Sequence, residues 1–255
     1  MSAMKNIIIS ILFVVSLSVN ASVAILSDLD DTIKITEAGG NPTDIIDDDV
    51  YTGMPEFFRG AKAYAADLYI LSASPSFMRG KIEETLAKRG IKYKALILRR
   101  NVFEDKFDYK VREIRRIMDA TSEDFVFVGD DLGKDPEVYA EIARLYPARF
   151  LGSYIHVVNG RRFPTRENVP YFTSFDLSLR EHMTFRLDAA WVEKIAAVLL
   201  RERDLEYVFP IEAQCPTAAT VWEWQVRTVF QREALALADR FTKFCQARRS
   251  VNILN

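Results

Sequence analysis

Three aspartates, Asp28, Asp30 and Asp31, follow on the apolar run Val23-Ala24-Ile25-Leu26 and Ser27. Carboxylates this close repel one another and need a cation or a proton between them. Asp28 and Asp30 are two positions apart, so both project to one side if the chain stays extended. A Mg²⁺ ion shared with a substrate phosphate meets that need, because Mg²⁺ binds few carboxylates and keeps positions open.

Further polar residues close other apolar runs in the same way. Leu68 to Leu71 runs into Ser72-Ala73-Ser74-Pro75, and Phe125 to Val128 runs into Gly129, Asp130 and Asp131, with Asp135 one turn later. Lys110 opens a helical stretch that follows the run Ala95 to Leu98. A carboxylate nucleophile, a second carboxylate, hydroxyl donors, a cation and metal-binding acids suit phosphoryl transfer through a covalent aspartyl-phosphate.

These residues meet only if the elements carrying them share one edge. Apolar runs of four or five residues bounded by polar ones read as strands buried on both faces. Five occur: at Val23, Leu68 to Leu71, Ala95 to Leu98, Phe125 to Val128 and Tyr154 to Val158. Helical spacing predicts helices over Glu56 to Ala66, Ser76 to Arg89 (ended by Gly90), Tyr109 to Met118 and Pro136 to Tyr146. Alternation of this kind implies an α/β fold, a parallel sheet with helices on both faces, whose carboxyl edge receives ligands. Ile33 to Pro55 reads as a flap or short hairpin, and its acidic run Asp47-Asp48-Asp49 as a solvated loop. Neither Ile33 to Leu71 nor Ser72 to Lys110 leaves room for a large cap, so a bulky substrate can reach the edge.

The set DxDxT at Asp28, the serine Ser72, the lysine Lys110 and the GDxxxxD pattern from Gly129 to Asp135 resembles the haloacid dehalogenase (HAD) superfamily of phosphohydrolases. The stretches SDLDDTIKIT, TGMPEFFRG, YILSASP, DYKVREI and VGDDLGKDPEVYAEIARLYPARF are similar, more specifically, to the catalytic domain of the actin-patch-protein phosphatidate phosphatase family, over Val23 to Val158. The resemblance implies a Rossmann-like three-layer sandwich with a small flap in place of a cap. It implies Asp28 as nucleophile, Asp30 as general acid and base, and Lys110 as charge-neutralising cation. Thr32, Ser72, Ala73 and Lys110 would bind phosphate. Asp28, the backbone carbonyl of Asp30, and Asp130 would hold Mg²⁺, with Asp131 and Asp135 in support. Asp131 in place of Asp130 as ligand stays open, since the family often has serine there; the family also often has an arginine near His156. The implied substrate is phosphatidate or a similar lipid phosphomonoester. A broad exported acid phosphatase, a phosphotransferase to an alcohol, and a lipid- or partner-binding protein without turnover are the competing readings. Arg99 and Arg100 end the third run, where they face solvent or a substrate head group.

Composition bounds the rest. The 255 residues carry a net charge of −2 and are 49% hydrophobic, which fits a globular protein and gives no basis for bulk nucleic-acid binding. Lys5, the apolar run Ile7 to Val19 and Val19-Asn20-Ala21 follow the order of a secretory signal peptide over residues 1–21. The expected product is an exported, periplasmic or secreted chain with no membrane span, in which 22–160 form the catalytic domain and 161–255 a mainly helical extension. Within the extension, Arg161 to Asp176 reads as loop, Ala189 to Arg203 as an amphipathic helix, and Thr217 to Arg249 as one long helix or two. Trp222, Trp224, Val226, Val229, Phe230, Leu237, Phe241 and Phe244 would pack on the catalytic domain, or dock at a lipid interface. Export permits a disulfide between Cys215 and Cys245 only if a break separates two helices.

Overall fold

The computed structural model describes residues 22–36, 49–64, 66–160, 163, 166–209 and 229–252. The expected signal peptide, the flap tip, Cys215, Trp222, Trp224 and Val226 lie outside them.

Six parallel strands form one sheet: β1 (Val23–Ser27), β2 (Asp67–Pro75), β3 (Ala95–Arg99), β4 (Asp124–Asp130), β5 (Phe150–His156) and β6 (Asn168–Tyr171). Their order is β3-β2-β1-β4-β5-β6, so β1 lies inside the sheet between β2 and β4. Successive residues of β1 face opposite layers, as the pleat requires. Ile25 packs with α1 (Met54–Ala63), α2 (Arg79–Lys88), α5 (Ser174–Met183), α6 (Ala189–Arg201) and α7 (Gln231–Asn252); Ala24 and Leu26 pack with α3 (Lys106–Ala120) and α4 (Asp135–Leu145). Phe125, Phe127, Tyr139 and Phe150 fill the second layer with a run of ring contacts.

Three elements depart from the sequence reading. Arg161 to Asp176, expected as loop, contains β6 and the start of α5. β6 is four residues long and includes Pro170, but it is the edge strand, where a missing N–H breaks no ladder. Thr173 and Asp176 cap α5 reciprocally. α3 starts at Lys106 rather than Tyr109, because the Asp105 side chain accepts from the amides of Phe107 and Asp108.

The flap is closed at its base. Lys34 and Val50 form an antiparallel bridge, and Ile35 N–H donates to Asp49 O at 3.0 Å. Asp49 itself bonds Tyr207 and Arg89, so this member of the acidic run is anchored. Beyond residue 160, Phe230, Leu237, Phe241 and Phe244 join the same core as Ile25 and Ile70, whereas Val229 is exposed. Arg240 donates to the carbonyls of Leu200 and Glu202, which satisfies the end of α6. Cys245 is engaged in a disulfide. No helix of the described residues is long and apolar enough to cross a membrane.

Asn168 pins β6. It accepts from Ser153 Oγ at 2.7 Å and donates to Pro136 O at 3.0 Å, fully buried. Asn168→Ala is expected to cost about 2–3 kcal/mol in a urea unfolding experiment, by leaving buried groups unpaired. A loss below ~0.5 kcal/mol would show that water replaces the amide at no cost.

Candidate active site

The sheet's carboxyl edge builds the site. Asp28 N–H donates to Val128 O at 2.8 Å, so β1 keeps its pairing with β4 up to the first aspartate. The chain then turns. Ile33 and Lys34 both donate to Leu29 O, and Asp31 takes a left-handed φ of 56°. This turn separates the two carboxylates that an extended chain would have set side by side.

Asp28 faces Lys110 and Asp30 faces β2. Lys110 Nζ donates to Asp28 Oδ1 at 2.8 Å and also to Asp135 Oδ1. Asp30 Oδ2 accepts from Ser72 Oγ at 3.0 Å and Ser74 Oγ at 2.6 Å. Ser74 is a contact that the sequence reading passed over, although the SASP stretch carried it; Ala73 lies between the two serines. Tyr109 donates to Ser72 O at 3.2 Å and steadies this end of β2.

Asp130 is held by its own turn. Its Oδ1 accepts from the amides of Leu132 and Gly133 at 2.8 and 3.0 Å, and Thr32 Oγ1 lies 3.4 Å from its Oδ2. Asp135 arrives at the first turn of α4. It comes this close because residue 129 is glycine: a Cβ there would lie 2.6 Å from Asp135 Oδ2. Carboxylate oxygens of Asp28, Asp130 and Asp135 lie within 4.8 Å of one another, all buried, an arrangement able to hold a metal ion.

Asp131 does not join this group. Adjacent residues point to opposite sides, and its Oδ1 accepts from Val158 N and Asn159 N, both at 2.8 Å. The option of Asp131 as ligand in place of Asp130 is therefore corrected: it ties the β4 turn to the end of β5. Asp31 is likewise a brace. Its carboxylate accepts from the Thr36 amide and hydroxyl, and its carbonyl meets His156 Nδ1 at 2.7 Å. His156 packs between Tyr51 and Tyr171, a role the sequence reading missed; burial lowers its basicity. Arg99 donates to Glu104 O within its own loop, while Arg100 is exposed.

The electrostatics are unbalanced. Burial pushes the Asp28 carboxyl well above its usual range; Lys110 works against this, and Asp135, Asp130 and Asp30 add to it. Asp130 is pushed up to about 7, by burial first and then by Asp135. Burial works to lower the Lys110 ammonium, but Asp135, Asp28 and Asp130 outweigh it and hold the ammonium above its ordinary value. A buried group of acids with one ammonium among them suits a further cation, and the oxygen donor set suits a hard one.

Residues 23–157, just over half the chain, match the family described as phosphatidate phosphatase APP1, catalytic domain. The chain belongs to this family. As a member of the APP1 catalytic-domain family it is a phosphatase, a hydrolase. No curated protein matches over the sequence. Among solved structures, it is similar to phosphoserine phosphatase from T. onnurineus (13% identity, 65% of this chain and 94% of that one, TM-score 0.39). It is also similar to a HAD-like phosphatase from Mesorhizobium loti (15% identity, 69% and 88%, TM-score 0.43). At these values the two structures carry no argument about substrate, and the APP1 match alone stands behind the family assignment.

The raised Asp130 gives a stability prediction with a definite sign. Its folded pKa of about 7 exceeds the unfolded ~3.9, so the folded state binds the extra proton between those values. The contribution to stability is present at low pH and is lost as pH rises through about 7. In metal-free protein, Asp130→Asn is expected to melt higher than wild type at pH ~8, with the gap narrowing toward pH ~4. A gap that is constant or inverted across this range would contradict the stated charge balance.

Proposed function

We propose that the chain is a Mg²⁺-dependent phosphatase acting on phosphatidate or a similar lipid phosphomonoester through an aspartyl-phosphate. What carries this reading is the division of labour at the β1 edge. Asp28 lies with Lys110, Asp130 and Asp135, while Asp30 lies across the turn with Ser72 and Ser74. Two carboxylates two residues apart thus have different partners, as a nucleophile and a proton donor require.

In the first step an Asp28 oxygen attacks phosphorus in line and the ester P–O bond breaks. Asp30 gives its proton to the leaving alkoxide. In the second step water attacks the phosphorus, Asp30 takes the water's proton, and the Asp28 carboxylate and inorganic phosphate are released. Lys110 offsets the negative charge that grows on the transferring group. Thr32, Ser72 and the Ala73 backbone would bind phosphate oxygens, after Ser72 exchanges its bond to Asp30. Asp28, Asp130 and the Asp30 carbonyl would hold Mg²⁺, with Asp135 beside them. Mg²⁺ would supply Lewis-acid charge toward the phosphate oxygens and relieve the crowding of the acids.

Family membership and short intervals between the strands support the lipid assignment. Among the described residues between β1 and β2, the one helix is α1, ten residues long. We also take the chain to be exported, because Lys5, the apolar run to Val19 and Ala21 follow signal-peptide order. N-terminal sequencing of the cellular protein should then begin near Ser22; an intact Met1 would contradict export by this route.

Phosphate release from phosphatidate in mixed micelles should exceed that from sugar phosphates and nucleotides, and it should stop when Mg²⁺ is withheld. Asp28→Asn should abolish turnover, and Asp30→Asn should lower it ~10²–10⁴-fold, the usual contribution of a general acid. Preference for the soluble monoesters would reject the lipid substrate in favour of a broad phosphatase. A wild type silent on all of them would favour binding without turnover.

A further inference from the structure

Beside the site, two phenylalanines stand in solvent. Phe77 is 84% exposed and Phe103 is 95% exposed, the latter with exposed Val102 next to it. Phe77 lies in the single helical turn Ser76–Met78 after β2 and Phe103 in the loop after β3, and both connections leave the carboxyl edge of the sheet. Pro75 at the end of β2 pairs with Arg99 at the end of β3, so the two loops start side by side. The first is continuous with the site: Ser74, which bonds Asp30, lies three residues before Phe77.

The second loop is built to keep its tip out. Phe103 N–H donates to Asn101 Oδ1 at 3.0 Å and Glu104 N–H to Asn101 O at 3.2 Å, closing a tight turn. Arg99 holds Glu104 O at 3.0 Å, and Arg112 pairs with the Glu104 carboxylate. Val102 and Phe103 thus occupy the middle of a braced turn, where polar residues or glycine are the rule. The apolar tip faces outward.

Charge names the occupant. Arg100 and Lys106 flank this tip, both exposed, and neither forms an ion pair among the described residues, whereas the acids of the same loop are engaged, Glu104 by Arg112 and Asp105 by the Phe107 and Asp108 amides that it caps. Aromatic side chains beside unpaired cations match the interface of an anionic bilayer, where rings enter the headgroup boundary and cations meet lipid phosphates. A neutral apolar partner would leave those cations uncompensated.

We infer that Phe77, Val102 and Phe103, with Arg100 and Lys106, form a docking surface for an anionic lipid bilayer, which seats the catalytic edge on the membrane holding its substrate. The inference rests on reading the site as one for a lipid phosphomonoester. It places the phosphate of a lipid in its bilayer within reach of Asp28 without extraction of the whole molecule.

The test separates docking from turnover. The mature chain, Ser22 to Asn255, is sedimented with phosphatidylcholine vesicles containing phosphatidylglycerol, an anionic lipid that is no phosphomonoester. Wild type is expected to co-sediment, and added salt is expected to weaken it. Phe77→Ser with Phe103→Ser should lower the vesicle affinity at least ~10-fold. Arg100→Glu with Lys106→Glu should lower it similarly, and does so without touching an apolar group. Melting curves check that both variants fold. Wild type that ignores the vesicles, or variants that bind as well as wild type, would overturn the surface. Phosphatidate cleavage in micelles, measured in parallel, reports on the active-site reading alone. Cleavage without vesicle binding overturns the surface only. Vesicle binding lost in the variants, together with a wild type inert toward phosphatidate, supports the surface and overturns the substrate.

Discussion

Lys110 is a buried ammonium held between the carboxylates of Asp28 and Asp135, with Asp130 close by. Three buried acids around one cation are costly, because low-dielectric surroundings amplify both the attraction and the remaining repulsion. The four residues come from the turn just after β1 and from α3, β4 and α4, so only the finished sheet edge brings them together. Any fault in the register of β1 with β4 would separate them. The arrangement stores a demand for positive charge at one point, which a bound cation would answer. Such an edge trades stability of the bare protein for readiness to bind.

Much of the neighbourhood exists to hold that edge still. Asp131 spends its carboxylate on Val158 and Asn159 and locks the β4 turn to β5. Asp31 does the same for the turn after β1, through Thr36 and His156. Gly129 leaves the space that Asp135 occupies. Neighbouring aspartates of one chemical type thus point opposite ways, one toward the buried acids around Lys110 and one toward the backbone. The direction of each follows from strand alternation and the sharp turn at Asp31.

The sheet was legible because its strands are short apolar runs ending in polar residues, and because caps and prolines mark the helices. Asp28, Lys110, Asp130 and Asp135 were legible because their types and order carry a chemistry. β6 was not, since four residues containing Pro170 give no period, and only its edge position makes it a strand. The pairing of Asp30 with Ser74 depends on where the β2 end lies against the β1 turn, which no spacing within either stretch reveals. Asp130 and Asp131 are chemically equivalent in one dimension, and their separation needed the third. The aromatic tips at Phe77 and Phe103 look like core residues in the sequence; their exposure follows from the turns that carry them.

One covalent bond decides the mechanism. During turnover of phosphatidate, the phosphoryl group should reside on Asp28, and borohydride quenching should reduce that acyl-phosphate so that peptide mass spectrometry finds homoserine at position 28 alone. Label that depends on substrate and Mg²⁺, and disappears in Asp28→Asn, is the result expected. Turnover with no reducible adduct, or with the label at Asp30, would contradict it.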